Sequence, residues 1–331
     1  MSTLHDVAKL SNVNISTVSR YLSGKLKVTE ETETRIRIAL EQTGYKPNLV
    51  ARSLRSGASN LIGVIVPDIY QPGIAGIIYG IDQYLSSTSC FISLLMTKSQ
   101  ADKEIQALQQ FRNMMIQRVI IIGHPLDKKI PNSLLSETIG HDSKIILISR
   151  NFVKSDLIEV CPNQKLGAEI LTSHLIKNGY HSIGIIVSRC DHPDAIQKIH
   201  GYAQTLIMNG IEVKKEMIQE GYYEPKATAK ATEMLLRQNV DAIICTSDEM
   251  AFYCIEYLHQ KGISIPQQVA VAGYGGSKWY QSFNPKLTTI VVHVEELGYK
   301  AAEMLINFEK YKGLNNSLIT LPVELRVGDS T

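Results

Sequence analysis

No two cysteines stand in Cys-x-x-Cys spacing: the five in this chain, Cys90, Cys161, Cys190, Cys245 and Cys254, are odd in number and scattered. They read as inert thiols of a reducing cytosol. No apolar run approaches ~18 residues, and the first residues enter a polar helical pattern at once. The expectation is therefore a cytoplasmic protein with neither a membrane span nor a signal peptide. Gly-x-Ser-x-Gly, His-Glu-x-x-His and Gly-x-Gly-x-x-Gly strings are missing, and Gly24-Lys25 lacks both the following Ser or Thr and the upstream glycine of a phosphate loop. The nine histidines show no metal-ligand spacing. A chain with no catalytic constellation, no metal and no cofactor is expected. Net charge is scarce as well: 34 Lys and Arg against 32 Asp and Glu leave +2. With 44% apolar residues in 331, that excludes a disordered charged tail and allows two α/β domains or slightly more.

The small sum hides an uneven distribution. Residues 1–57 carry nine basic side chains against five acidic ones, a formal +4, whereas the other 274 carry 25 against 27, or −2. A basic head on a mildly acidic body is the layout expected where one segment meets phosphate. Within the head, Thr3 and Asp6 predict a capping-box-like start to a helix ending near Ser11, with Leu4, Val7, Ala8 and Leu10 at helical spacing. Asn12-Val13-Asn14 breaks it, and Asn14 is placed to cap a second helix, Ile15 to Leu22, with Val18, Tyr21 and Leu22 inward and Ser16, Thr17 and Arg20 outward. A third helix runs from near Thr29 to Gly44 with Ile36, Ala39 and Leu40 inside. Two short helices joined by a three-residue turn satisfy the helix-turn-helix description. After Pro47, the segment Leu49 to Arg55 has room for two helical turns, too few to be stable alone in water.

From Leu61 the texture changes to β/α alternation. Strand-like runs at Leu61–Val66, Phe91–Leu95, Val119–Ile122, Ile145–Ile148, Ile183–Val187, Ala242–Cys245, Val269–Ala272 and Thr289–Val292 are separated by amphipathic stretches. Strands apolar throughout and divided by helices predict doubly wound parallel sheets, here two of them. Ligands of such sheets bind beyond the carboxyl ends of the strands.

The residues in this frame resemble the lactose-repressor (LacI/GalR) family of bacterial transcription regulators. Asp6-Val7-Ala8, Thr17-Val18-Ser19-Arg20, Gly44-Tyr45-x-Pro47-Asn48 and Ala51-Arg52-x-Leu54 carry the resemblance in the head. Ile62-Gly63-Val64-Ile65-Val66-Pro67-Asp68, Gly179-Tyr180-His181, Gly201-Tyr202, Ser247-Asp248-x-Met250-Ala251 and Glu296-Leu297-Gly298 extend it through the body. The resemblance implies a small all-α helix-turn-helix head over 1–46, a hinge helix and linker over 47–60, and a periplasmic-binding-protein-like effector and dimerisation core over 61–331. Within that core, one α/β subdomain would take about 61–160 plus 293–319, and the other 161–292 plus 320–331. The implied function is transcriptional repression at a pseudo-palindromic double-stranded DNA operator by a homodimer under the control of a small carbohydrate effector. No leucine heptad follows Leu325-Arg326-Val327-Gly328, so a dimer rather than a tetramer is expected.

The second helix would put Ile15, Ser16, Thr17 and Arg20 against base edges, Ile15 by apolar contact and Arg20 by a bidentate pair with guanine. Lys9, Asn48 and Arg52 would hold phosphates. Ala51, Leu54 and Arg55 match the hinge that enters the minor groove, with Leu54 as the wedge. Plain helix capping remains the alternative for Ser16 and Thr17, and packing on the core for Leu54. In the core, effector positions of the family fall on Tyr70, Gln71, Arg150, Lys198, Tyr223, Ser247, Asp248, Gly275 and Trp279, with capping of the following helix as the alternative for Asp248. Several depart from the family pattern: Gln71 stands for the usual Asn, Lys198 for Arg and Gly275 for Asp. The Gly273-Tyr274-Gly275-Gly276 loop looks like that of sucrose- or trehalose-type members, and Lys198 with Arg150 also suits a sugar phosphate. A regulator of the same family controlled by a phosphocarrier protein is the alternative. A cytoplasmic solute receptor or a sugar enzyme is disfavoured by the head and by the missing catalytic motifs.

Overall fold

A computed structural model describes residues 2–22, 26–45, 59–71, 73–123, 130–140, 142–150, 157–277, 284–312 and 318–331. The chain divides into two compact units, Met1–Asn60 and Leu61–Thr331.

The first unit is helical: α1 (Leu4–Ser11), α2 (Ile15–Leu22) and α3 (Glu30–Thr43). Thr3 and Asp6 close a reciprocal capping box on α1, and Asn12, at φ 51°, ends it in the left-handed conformation that asparagine tolerates. Thr29 caps α3, and Gly44 (φ 61°) ends it. Val7, Ala8, Val18, Ile36 and Ala39 form the centre of the unit, and the Tyr21 hydroxyl donates to Glu33 Oε1 at 2.9 Å, tying α2 to α3. One expectation is corrected: Leu10 is 53% exposed. The inward register from Leu4 runs through Val7, Ala8 and Ser11 at intervals of three and four, so Ser11 takes the buried place and bonds its hydroxyl to Val7 O at 2.7 Å.

The second unit contains two six-stranded sheets. The first holds β1 (Leu61–Val66), β2 (Phe91–Met96), β3 (Arg118–Ile122), β4 (Lys144–Ile148), β5 (Ile158–Pro162) and β11 (Leu318–Leu321), in the order β11-β5-β4-β3-β1-β2. The second holds β6 (Ile183–Val187), β7 (Ile218–Glu220), β8 (Ala242–Cys245), β9 (Ala270–Gly275), β10 (Thr288–Val292) and β12 (Val323–Arg326), in the order β12-β10-β9-β8-β6-β7. Every pairing is parallel except β10 with β12. Helices cover both faces, which is why the central strands are apolar at nearly every position. Ile62, Val64 and Val66 pack against the helices Ile74–Leu85 and Val294–Ile306, whereas Ile65 of the same strand packs on the opposite side with Leu108 and Phe111. The two helices of the first face cross at backbone contact: a Cβ on Gly80 would lie 1.9 Å from Glu295 O, and one on Gly298 the same distance from Ile77 O.

The chain passes between the sheets three times, at 162–164, 292–294 and 321–323. The corresponding boundaries read from the sequence were 160–161, 292–293 and 319–320. Four strands, β5, β7, β11 and β12, and the helix Asn132–Ile139 were not expected from the sequence. β5 contains Glu159 and Pro162 within a fully buried strand, and the Glu159 carboxylate is satisfied there by the backbone N–H of Arg150 at 2.7 Å. β7 is three residues long, and β11 alternates exposed and half-buried positions at a sheet edge. Among the described residues no helix is long and apolar enough to cross a membrane.

Candidate functional sites

In the helical unit, the three-residue connection Asn12–Asn14 turns the chain between α1 and α2. The Asn14 carbonyl accepts from Thr17 N at 2.9 Å and Val18 N at 3.0 Å, and its side-chain oxygen accepts from Ser16 N at 2.9 Å, so Asn14 is the cap that fixes where α2 begins. Buried Val18 anchors the helix to the core and turns the opposite side outward. Ser16 and Arg20 are exposed on that side, Ile15 is exposed at the start of the helix beside the face of Val18, and Thr17 is half-buried. Ile15, 40% exposed at the first position of the helix, leaves part of an apolar side chain open to solvent. Together these residues form a surface about two turns long offering an apolar group, a hydroxyl and a guanidinium. Lys9 is exposed on α1. Asn48, Ala51, Arg52, Leu54 and Arg55 lie outside the described residues.

In the larger unit, the carboxyl ends of the second sheet gather one cluster. Lys198, on the helix Pro193–Met208, is buried; its Nζ donates to Thr246 O at 3.1 Å and stands 4.0 Å from the centre of the Tyr274 ring. Burial lowers its pKa to about 8, against the pull of Asp194 and Asp248. Asp248 is buried beside it, with Thr289 Oγ1 donating to Oδ1 at 2.5 Å and Ser277 N to Oδ2 at 2.7 Å. Desolvation raises the Asp248 pKa, and these hydrogen bonds oppose the rise. The stretch expected as a loop from Gly273 is instead the end of β9 through Gly275, and its glycines make room for this carboxylate: a Cβ on Gly273 would lie 2.5 Å from Oδ1 and one on Gly275, at φ 135°, 3.4 Å from Oδ2. Ser247 caps the helix Asp248–Gln260 by accepting from Met250 N at 3.1 Å. The capping role considered for Asp248 therefore belongs to Ser247, and Asp248 holds the Gly275–Ser277 turn. Tyr223 stands 43% exposed after β7 with its phenol pKa raised by desolvation and partly restored by Ser188.

Arg150 belongs to the first sheet. Its side chain is fully buried, with Nη1 2.9 Å from Glu104 Oε2 and 2.9 Å from Gly123 O. Tyr70 is 93% exposed and Gln71 exposed beyond β1, where Tyr70 N donates to Asp68 Oδ1 at 3.0 Å. Trp279 lies outside the described residues. The structure thus brings together Lys198, Asp248 and Gly275, and holds Arg150 in a separate buried pair. Sequence reasoning missed Glu104, Glu159, Thr246 and Thr289, which hold the chosen residues from 9 to 48 positions away. Among the described residues no three His, Cys, Asp or Glu come together as metal ligands.

Two family profiles match the chain. That of bacterial regulatory proteins of the lacI family covers residues 3–48, and that of periplasmic binding proteins and the sugar-binding domain of the LacI family covers residues 59–325. The HTH-type transcriptional repressor PurR of Aliivibrio salmonicida (strain LFI1238) is 26% identical over 314 residues, spanning 94% of this chain and 93% of that protein. The lac repressor dimer bound to operator and the anti-inducer ONPF superposes with a TM-score of 0.85 at 21% identity, over 99% of this chain and 98% of that one. The complex of the transcriptional regulator CelR with cellobiose gives 0.74 at 22% identity, over all of both chains. The likeness to these two structures is one of fold.

Proposed function

The chain belongs to the LacI family of bacterial regulatory proteins, and on that premise we propose a dimeric repressor that reads a pseudo-palindromic operator through α2 and is released by a neutral sugar. The single observation that carries the DNA-reading half is the outer side of α2. Asn14 fixes the helix start, Val18 anchors it, and Ile15, Ser16 and Arg20 stand exposed within two turns. In the major groove that surface offers methyl contact, hydroxyl hydrogen bonding and a guanine-directed fork. Thr17 supports the same surface, and Lys9 with Asn48 and Arg52 supplies phosphate contacts. The hinge residues Ala51, Leu54 and Arg55 enter the minor groove, Leu54 as the wedge that opens the central step.

For the effector, Tyr70, Gln71, Tyr223 and Trp279 are assigned to the ligand, with Lys198, Ser247, Asp248 and Gly275 beneath it. The burial of both cationic candidates favours a neutral sugar over a sugar phosphate. Arg150 is committed to Glu104, and Lys198 turns its ammonium to Thr246 O and the Tyr274 ring. Tyr70, Tyr223 and Gln71 stand exposed, which suits the apolar face and hydroxyls of a disaccharide of the sucrose or trehalose kind. The repressor would act in the cytoplasm on genes of carbohydrate uptake or catabolism.

Fluorescence anisotropy with duplexes from the gene's own upstream region tests the proposal. Binding is expected to weaken steeply with salt and to be reversed by one of a panel of disaccharides. Absent or salt-insensitive binding overturns the DNA reading. Release by sugar phosphates alone overturns the effector reading.

A further inference from the structure

The cap of α2 constrains more than the helix start. Asn14 Oδ1 accepts from Ser16 N at 2.9 Å. A backbone N–H only donates, so the side-chain atom facing it is the amide oxygen, and the orientation of the Asn14 amide is settled by its partner. The same oxygen lies 2.8 Å from Ser16 Oγ. A carbonyl oxygen cannot donate, so the hydroxyl proton of Ser16 lies in this bond. Serine has one hydroxyl proton and two lone pairs. With the proton committed to Asn14, the exposed hydroxyl of Ser16 presents an acceptor alone.

A freely turning serine tells little about bases, since it donates to a keto oxygen as readily as it accepts from an amine. A serine whose proton is held does discriminate. The major-groove donors are N6 of adenine and N4 of cytosine, whereas O6 of guanine and O4 of thymine are acceptors. Facing a keto oxygen, Ser16 would set two acceptors against each other unless the bond to Asn14 were broken. Its neighbour Ile15, 40% exposed and without polar side-chain atoms, prefers a thymine methyl and does not compete for the amine.

We propose that Ser16 is a specificity-determining residue that selects an amino base, adenine or cytosine, over a keto base on the contacted strand, and that Asn14 sets this choice without itself touching DNA. The proposal rests on the reading that α2 enters the major groove. Selection of bound duplexes from a randomised library, followed by sequencing, tests it on the full chain. The wild type is expected to show one position in each half-site enriched for A or C over G and T by roughly five- to tenfold, the scale of a single lost base contact. Ser16→Ala keeps the cap, because the Ser16 N–H remains, and flattens that position only. Asn14→Ala frees the hydroxyl proton and makes the position tolerant of G and T, with folding verified by circular dichroism. Asn14→Asp keeps both the acceptor and the cap, and retains the preference for amino bases. The proposal is overturned if Ser16→Ala alters no position, if the position it flattens preferred G or T, or if folded Asn14→Ala keeps the amino-base preference. A wild type that enriches no sequence at all instead overturns the DNA reading on which it stands.

Discussion

Lys198→Met removes a buried ammonium while keeping most of its aliphatic stem, and the consequence is a change in how stability depends on pH. In the folded chain the ammonium titrates at about 8 rather than 10.5, because burial penalises the charged form more than Asp194 and Asp248 support it. Between those two values the unfolded chain holds a proton that the folded chain has released, so stability rises with pH across the window. At about 1.4 kcal/mol per pH unit, the full window contributes about 3 kcal/mol and the part from pH 8 to 9.5 about 2 kcal/mol. Below pH 8 both states are protonated, and the folded state bears the whole desolvation cost, offset by the bond to Thr246 O and the Tyr274 ring. Urea unfolding followed by circular dichroism at half-unit intervals gives the difference in stability between wild type and variant, in which the titrations common to both chains cancel. The difference, wild type minus variant, is expected to be level from pH 6 to 7.5 and then to climb by about 2 kcal/mol by pH 9.5. A difference that stays level to pH 9.5 would refute the reasoning, since it would mean that water reaches Nζ and that the cluster is open.

Two further perturbations address the frame around the sites. Gly298→Ala places a methyl where Ile77 O stands 1.9 Å away, and neither helix backbone has a rotamer with which to yield. The expected loss is about 3 kcal/mol, seen as a lower urea midpoint with an unchanged slope; a neutral result would mean that the helices 74–85 and 294–306 are not in backbone contact. Asp248→Ala takes the acceptor from Ser277 N and from Thr289 Oγ1 and is expected to cost about 2 kcal/mol. Limited proteolysis should then cut near Gly275–Ser277 faster than in the wild type, and unchanged cleavage would show that Asp248 does not hold that turn.

The fold was legible where burial alone dictates sequence. β1, β6 and β8 coincide with the apolar runs because both faces are covered, so no position is free to be polar. β5 was hidden because a strand can bury Glu159 if a backbone N–H satisfies it, and no local pattern announces that Arg150 supplies one. β11 and β12 lie on edges, where a partly exposed strand resembles any polar segment. Leu10 misled for the opposite reason. It is apolar and close to the inward register, but one position off it, and Ser11 takes the buried place by bonding back to Val7 O. Burial in a helix follows angle before hydrophobicity when a small polar side chain can satisfy itself within the helix.

The same distinction separates the two candidate sites. The groups that make up the outer side of α2 lie within seven residues, the cap at Asn14, the exposed Ile15 and Ser16, the anchor at Val18 and the guanidinium of Arg20, although α1 and α3 hold the helix in place. A site so local has its cap and its exposed side chains written into the order of residues, whereas the bond between the Ser16 hydroxyl and Asn14 Oδ1 emerges only from the structure. The core site is assembled from strand ends, and its determinants are the distant groups that take up each side chain's hydrogen bonds. Lys198 and Arg150 both occupy positions that the family resemblance assigns to the effector. Thr246, 48 residues from Lys198, and Glu104, 46 residues from Arg150, direct them inward. The burial of both cations beside these partners is what turns the proposal toward a neutral ligand. A charge identified by position is evidence of ionic recognition only when its hydrogen bonds are not already made within the fold.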